Sequence, residues 1–430
     1  MTFAVAIDAA RDVRSRTTAA APAPLNIALL GCGTVGSAFA GLAQRESPER
    51  AVRITHALMR DLERARPTLH ADVARIDDGQ AIFAAPPDVV VELLGGLEPA
   101  RSLVLEALHR GIPVVTANKS LLAAHGAELR EAAARSATPL LYEAAVLAGV
   151  PFLGTFARRP HAAEITGLVG IANGTSNYIL TRARDERCGI ETALADAQRL
   201  GLAEPDPAHD IDGIDAADKL AVLLQQFAAA DVARGRIETG GIRRLTAADI
   251  DQARALGGTI KPVISADWSA GLQAFAGPAF VDAAHLLASV DGAENAVVLG
   301  GRRGRMVFRG PGAGPEVTAA TVLDDVHEAA QATGPMYLPA LRPAEPTAPE
   351  TPWFIRVTAA EVPPSLEMAD LLASHGVFLQ RTHRGGRGAG AGTVAALTLP
   401  CARPRIERAL GALAGAVRCE ITLVRALEDR

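Results

Sequence analysis

LNIALLGCGTVGSAF, residues Leu25 to Phe39, is an apolar run that breaks into spaced glycines and resumes as a row of small residues. The apolar part reads as a buried strand and the small-residue part as a helix. Between them lies Gly31-x-Gly33-x-x-Gly36. Glycines at this spacing let the backbone turn tightly and approach a pyrophosphate, which then rests on the N-terminus of the helix that follows. Gly31, Gly33, Thr34, Val35 and Gly36 are therefore the expected cofactor contacts of the turn. Glycines also mark ordinary turns, so the context decides, and strand–helix alternation continues beyond. Strands are expected at Val52–Met59, Asp88–Leu94 and Val114–Ala117, with helices between, giving a parallel, doubly wound sheet. Cys32, inside the turn, reads as a small packing residue.

The ends of those strands carry the next signals. The second ends in ALMRDLERARP (Ala57–Pro67), with Arg60 ahead of Asp61. An acid at this strand end suits a ribose 2′-hydroxyl, whereas an arginine suits a 2′-phosphate. The reading leans towards NADP and leaves NAD open. VVELLGG ends in Gly95 and Gly96, and VVTANKS carries Lys119. In open α/β sheets ligands bind outside the carboxyl ends of the strands, which points Gly95 and Lys119 at the working end of the cofactor. A lone lysine there would otherwise read as the surface start of a helix.

Working outward, 430 residues are too many for one ordinary core and predict two or three domains. The chain is 49% hydrophobic and 21% charged with a net charge of −5, a globular composition without the basic footprint that nucleic acid or an anionic membrane would require. No apolar run is long enough to span a bilayer. Cys32, Cys188, Cys401 and Cys419 form no C-x-x-C pair, which suits a reducing cytoplasm and argues against a disulfide framework or a cysteine-rich zinc site. The segment 1–23 is rich in Ala, Arg and Pro and reads as a flexible extension. LPALRPAEPTAPETP, 338–352, has the composition of a linker.

Glu204 to Phe227, EPDPAHDIDGIDAADKLAVLLQQF, crowds acids ahead of one lysine and then turns apolar. As a calcium loop it fails. Asp210, Asp212 and Gly213 would take the third, fifth and sixth positions, but the first would be Ala208 and the twelfth Lys219, where an acid is required. As a surface pair, Asp215 and Lys219 at i, i+4 would contribute only ~0.2–0.5 kcal/mol. However, Lys219 shares its face with Ala216, Leu220 and Leu223, while Val222, Leu224 and Phe227 fill the rest. That helix is apolar all round and should be buried. A lysine and an aspartate at its entry need compensation for lost hydration, and a ligand of complementary charge would supply it. Upstream, Asn173, Gly174, Thr175 and Ser176 precede a helix expected to begin near Tyr178. They read as an N-cap and as a place to hold a carboxylate.

Taken in order, GCGTVG, VVELLGG, TANKSLLA, YEAAVLAGVP, GIANGTSNYILT, AEPDPAHDIDGIDAADKLAVL, GIRRLTAADIDQARALGGTIK and FRGPGAG resemble homoserine dehydrogenase. The likeness runs from Leu25 to about Asp325, and the last 80 or so residues resemble a small βαββαβ domain of the ACT type. With no aspartate kinase segment attached, the chain resembles the monofunctional enzymes. The resemblance implies a Rossmann-type domain over 24–145 completed by about 305–337, and a central α+β substrate and oligomerisation domain over 146–304. The linker and an ACT-like regulatory domain over 353–430 follow. It implies interconversion of L-homoserine and L-aspartate 4-semialdehyde with NAD(P), on the route to threonine and methionine, by a cytoplasmic homodimer or homotetramer.

Residue by residue, the resemblance makes Lys219 and Lys119 the catalytic lysines, with Asp215 beside them. Glu204 takes the substrate ammonium, and Asp210 and Asp215 hold its polar groups. Thr175, with Gly174 and Asn173, lies near substrate, and Gly312 and Gly314 lie near the nicotinamide. A Na⁺ or K⁺ site built from main-chain oxygens maps to Glu143, Val146, Ala148 and Val150. Two rivals remain. Aspartate-semialdehyde dehydrogenase needs a thiol nucleophile, and neither Cys32 nor Cys188 is placed for it. An amino-acid sensor that has kept the fold would not need intact Lys119, Glu204, Asp215 and Lys219. In the C-terminal segment IRVTAAEVPPSLEMADLL, Glu361 and Pro363 match an acid-x-Pro-Gly ligand turn, but Pro364 stands where the glycine belongs. Proline has no amide hydrogen and a fixed φ, and the following RTHRGGRGAGAG reads as a loose loop. Threonine is therefore expected to inhibit weakly if at all.

Overall fold

A parallel sheet of six strands carries the first third of the chain. The computed structural model describes residues 23–47, 50–158, 164–332, 339–360, 365–388 and 391–427. The extension at 1–23 falls almost wholly outside these, as do Glu361, Pro363 and Pro364. The strands are β1 (Leu25–Leu30), β2 (Val52–Leu58), β3 (Ala74–Ile76), β4 (Val89–Glu92), β5 (Val114–Thr116) and β6 (Leu140–Leu141). Their order is β3-β2-β1-β4-β5-β6, all parallel, so the strand order reverses between β1 and β4. This is the doubly wound sheet that the sequence predicts, with strands slightly shorter than expected at their ends. The helices are α1 (Thr34–Ala43), α2 (Ala100–His109) and α3 (Lys119–Arg135).

The second layer begins with α4 (Leu153–Arg158), β7 (Ile165–Ile171), α5 (Gly174–Glu186) and α6 (Ile190–Arg199). After α7 (Ala208–Ile211) and α8 (Ile214–Phe227) come the short β8 (Ala230–Asp231) and β9 (Glu238–Thr239), then α9 (Ala247–Ala255). Four long strands follow: β10 (Gly258–Asp267), β11 (Gln273–Asp282), β12 (Glu294–Gly301) and β13 (Gly304–Pro311). Helix α5 begins at Gly174, earlier than the sequence reading. The Asn173 side chain accepts from Ser176 N, so the cap lies one residue ahead of the glycine. From Asp215 to Gln226 every residue of α8 is buried, as its apolar circumference requires. Helix α10 (Pro315–Gln331) then returns to the first sheet, packing Ala319, Val322 and Val326 into one core with Ile27, Leu29 and Phe39.

The end of the chain runs β15 (Trp353–Ala359), α11 (Ser365–Ser374), β16 (Leu379–Gly388), β17 (Ala391–Thr398), α12 (Arg403–Ala416) and β18 (Cys419–Ala426), a βαββαβ order. The glycine-rich stretch from Arg381, read from sequence as a loop, is instead mostly the β16–β17 hairpin. Gly385 lies where a Cβ would meet Gln252 Nε2 of α9 at 2.5 Å, the far end of a flexible side chain. Strand β18 pairs in parallel with β11, which joins the C-terminal strands to the second sheet. The Pro-rich segment is fastened too, through β14 (Arg342–Pro343) on β8 and Thr347 N to Leu272 O at 2.8 Å.

One ion pair ties the two parts of that sheet together. The buried Arg356 of β15 donates from Nε to Asp249 Oδ1 at 2.6 Å and from Nη2 to Glu420 Oε1 at 2.7 Å. Asp249 is itself fully buried and closes the capping box of α9 through Thr246. Removing one partner of such a pair strands the other charge without water. Arg356→Met is expected to lower the free energy of unfolding by ~3–5 kcal/mol. Urea unfolding measures it, and an unchanged midpoint would show that Asp249 needs no partner.

Candidate active site

Three helices begin at the seam between the two sheets, and their first turns meet on one carboxylate. Asp215 lies in the first turn of α8, where the helix dipole favours an anion. Lys119, the first residue of α3, places Nζ 3.1 Å from Asp215 Oδ1. Lys219, one turn further along α8, places Nζ 2.9 Å from Asp215 Oδ2 and donates to Ala172 O at 2.7 Å. Asn173, the cap of α5, donates from Nδ2 to Asp215 Oδ2 and to Asp210 Oδ1, each at 2.8 Å. Its oxygen is committed to Ser176 N, which fixes the amide's orientation.

The electrostatics follow from that packing. Burial by itself would push the Asp215 carboxyl up, but Lys219 and Lys119 outweigh it and hold the group well below the usual carboxylate range. Asp215 in turn pushes Lys119 above the ordinary lysine value, against burial, with smaller help from Asp210 and Asp218. The centre thus holds an ionised aspartate and a protonated Lys119. An ammonium has three donors. Lys219 uses two of them within the protein, and Lys119 makes its ion pair with Asp215 while a third of its side chain stays exposed.

The other expected substrate residues divide. Asp210 belongs to the network through Asn173, and Ser176 Oγ donates to its main-chain oxygen at 3.0 Å. Gly174 lies where a Cβ would meet Ala293 O at 2.7 Å. Thr175 spends its hydroxyl on Leu202 O at 2.7 Å, which fastens the start of α5 to the loop ahead of α7. Glu204 is exposed on that loop, outside the hydrogen-bonded network, and its main-chain oxygen accepts from Gln198 Nε2 at 3.1 Å.

The glycine turn fits a dinucleotide. Gly31 has φ +98°, and a Cβ there would meet Leu93 O at 2.5 Å. At Gly36 a Cβ would meet Gly31 O at 2.1 Å, whereas nothing lies within 4 Å of one at Gly33. Gly33 is the cap of α1 and supplies no side chain, so the first N–H groups of the helix face outward for a phosphate. The turn adjoins β4, where Gly95 has φ +73° and fully buried Glu92 accepts from Leu94 N and Thr116 Oγ1. Burial pushes the Glu92 carboxyl up. Asn118 caps α3 through Leu121 N and donates to Gly96 O at 2.7 Å, so Lys119 is anchored to the Gly95–Gly96 bend. Gly312 must be glycine because a Cβ would meet the Asn295 amide at 2.0 Å, and Gly314 has φ +134°. Asn295 itself is fully buried with neither amide atom hydrogen-bonded, beside both Gly174 and Gly312.

The segment 143–150 adjoins the same glycines. Ala148 N donates to Gly312 O at 3.2 Å, and Ala148 O accepts from the Thr321 hydroxyl. The Glu143 carboxylate accepts from the Phe152, Leu153 and Gly154 N–H groups. No cluster of His, Cys, Asp and Glu able to hold a metal occurs among the described residues. Cys32 is buried in its turn, and the Cys188 thiol donates to Arg182 O at 4.0 Å, so neither thiol is in the lysine network. Sequence reasoning missed Glu92, Asn118 and Asn295. Only Asn118, directly ahead of Lys119, carried a readable capping signal.

Comparison with known proteins bears on this site. Residues 151–327 match the family model described as homoserine dehydrogenase, and residues 31–143 match homoserine dehydrogenase, NAD binding domain. The chain is similar to a homoserine dehydrogenase of Synechocystis sp., at 40% identity over 313 residues, 70% of this chain and 72% of the relative. It is similar to that of Pseudomonas aeruginosa, at 33% identity over 378 residues, 83% and 87% of the two chains. The crystal structure of a homoserine dehydrogenase from Thiobacillus denitrificans superposes with a TM-score of 0.86 at 31% identity, covering 94% of this chain and 99% of that one.

Lys219→Met removes an amine while Asn173 and Lys119 still satisfy Asp215, so the fold is expected to survive. The kcat should fall at least ~100-fold, the low end for losing a proton-transfer group. Steady-state turnover with circular dichroism as the folding control measures it. Near-normal turnover in a folded variant would remove Lys219 from the chemistry.

Proposed function

The chain belongs to the homoserine dehydrogenase family, and from that premise we propose which of its residues carry the family's reaction. It is an NAD(P)-dependent oxidoreductase acting on a CH–OH group, interconverting L-homoserine and L-aspartate 4-semialdehyde. The sensor alternative finds no support in these relationships. The observation that carries the assignment of residues is the pair of lysines sharing Asp215 at the seam of the two sheets.

Bound nicotinamide supplies the hydride acceptor in oxidation and the donor in reduction. The lysines handle the proton. In oxidation a neutral amine takes the proton of the substrate hydroxyl, and in reduction an ammonium polarises the carbonyl and returns it. Asp215 stays ionised throughout and holds both amines in place. Asp210 and Glu204 answer the substrate ammonium, and the N-terminus of α5, with Gly174 and Thr175, answers its carboxylate. Gly31, Gly33, Thr34, Val35 and Gly36 hold the pyrophosphate, while Gly95, Gly312 and Gly314 line the nicotinamide end.

We favour NADP(H). The support is Arg60, exposed directly beyond the end of β2, and Arg66, whose Nε donates to Cys32 O of the glycine turn at 2.7 Å. Asp61 is turned into its own loop, accepting from Glu63 N and Arg64 N at 3.1 Å each. Main-chain oxygens of Glu143, Val146, Ala148 and Val150 would suit Na⁺ or K⁺, an ion that would brace the loop against Gly312. A homodimer or homotetramer is consistent with the open face of the second sheet. That face holds a cavity of about 540 Å³ beside exposed Val307 and Leu286. No helix among the described residues is long and apolar enough to cross a membrane. With four free cysteines, the cytoplasm is the compartment we infer.

The unaltered protein should show a higher kcat/KM with NADPH than with NADH in aspartate 4-semialdehyde reduction. Arg60→Ala should lower the NADPH value about tenfold, the worth of one charge-assisted hydrogen bond to a phosphate, and spare NADH. Equal values for both cofactors in the unaltered protein would remove the preference.

A further inference from the structure

Asp218 is 1% exposed on α8, one residue before Lys219, and the proposed chemistry gives it no task. Its Oδ2 accepts from Ser120 Oγ at 2.7 Å, and its Oδ1 accepts from Arg234 Nη1 at 3.1 Å. Ser120 follows Lys119 in the first turn of α3. The contact therefore joins the residue after one lysine to the residue before the other, across the seam between the sheets.

A buried carboxylate is an expensive way to fasten two helices. Its desolvation costs several kcal/mol, and its partners here are a neutral hydroxyl and a half-exposed arginine. Further along the same pair of helices the ties described use no carboxylate. Gln225 Nε2 donates to Leu122 O at 3.1 Å, over Gly126, where a Cβ would meet the Gln225 amide at 2.2 Å. At the far end Arg130 of α3 donates from Nη2 to Gln226 Oε1 at 3.4 Å, so the carboxylate tie belongs to the catalytic end, and that points to a task beyond packing.

We propose that Asp218 and Ser120 form a positioning pair, which sets the spacing of the two lysine amines around Asp215 and adds a further negative charge behind Lys119. The proposal rests on the roles given above to Lys119 and Lys219. Asp210, Asp215 and Asp218 are the acids acting on Lys119, and Lys219 and Arg234 are the cations on their far sides. Without the hydroxyl–carboxylate bond the start of α3 loses its anchor to α8, and the Lys119 amine moves relative to substrate. Without the Asp218 charge, Lys119 also gives up its proton more readily.

The test is a double-mutant cycle on homoserine oxidation in the full-length protein, with Ser120→Ala, Asp218→Ala and the pair. Each single change should lower kcat about tenfold, and the double should fall no further than Asp218→Ala, as for two partners in one contact. NADPH binding, read by fluorescence without turnover, should stay within about twofold. In Asp218→Ala the rise of kcat with pH should move to lower pH, and in Ser120→Ala it should stay, a difference that a purely structural role would not produce. Ser120→Ala alone decides the matter should Asp218→Ala fail to fold. Singles that keep normal kcat, or losses that simply add, would overturn the proposal while Lys219→Met remained inactive. Full turnover in Lys219→Met would instead overturn the lysine roles on which the pair depends.

Discussion

A single buried carboxylate, that of Asp215, is the constraint around which the seam is organised. An anion removed from water needs opposite charge and hydrogen bonds to remain ionised. Here it receives both from three helix starts, Lys119 at the head of α3, Asn173 capping α5, and its own first turn of α8. Each of those helices is held by something else: α3 by the Gly95–Gly96 bend through Asn118, α5 by the loop ahead of α7, and α8 by complete burial. Moving any one of them would leave a charge without its partner. The site is therefore as rigid as the packing that surrounds it.

The chain's route explains why the site lies where the two sheets meet. The parallel sheet opens its cofactor crevice where its strand order reverses, between β1 and β4. The second sheet supplies α5 and α8. Helix α10 then crosses back to complete the first core, so the two halves are stitched in both directions. Glycines at Gly31, Gly36, Gly174 and Gly312 allow backbone to approach where a side chain would collide. The C-terminal strands share the second sheet through β11 and β18, with Arg356 of β15 and Asp249 of α9 as their bolt.

Much of this was legible in the sequence because its causes are local. Gly31-x-Gly33-x-x-Gly36 is readable since the φ of Gly31 and the closeness of Gly36 are set within a few residues. Asp215 and Lys219 stood out as charges on a helix with no polar face. Asn173 was readable as a cap, although the helix start was placed too late because glycine and threonine look like loop. The remainder has partners far along the chain. Ser120 meets Asp218 only after α3 and α8 pack, Glu92 gains meaning from Thr116 and Asn118, and Asn295 is defined by Gly174 and Gly312. The β16–β17 hairpin escaped notice because its glycines read as loop while its pairing is set by main-chain hydrogen bonds between the strands.

The central claim is that the Asp215 charge holds Lys119 in its protonated form and both lysines in position. The pH dependence of kcat/KM for homoserine oxidation, compared between the unaltered protein and Asp215→Asn, tests it most directly. Lys119 is held above its ordinary value chiefly by Asp215, so losing that anion must lower the pH at which an amine becomes a base. The account predicts a reduced rate whose rise with pH begins at least ~1 unit lower than in the unaltered protein. A profile that rises at the same pH in both would show that Asp215 does not govern the lysines.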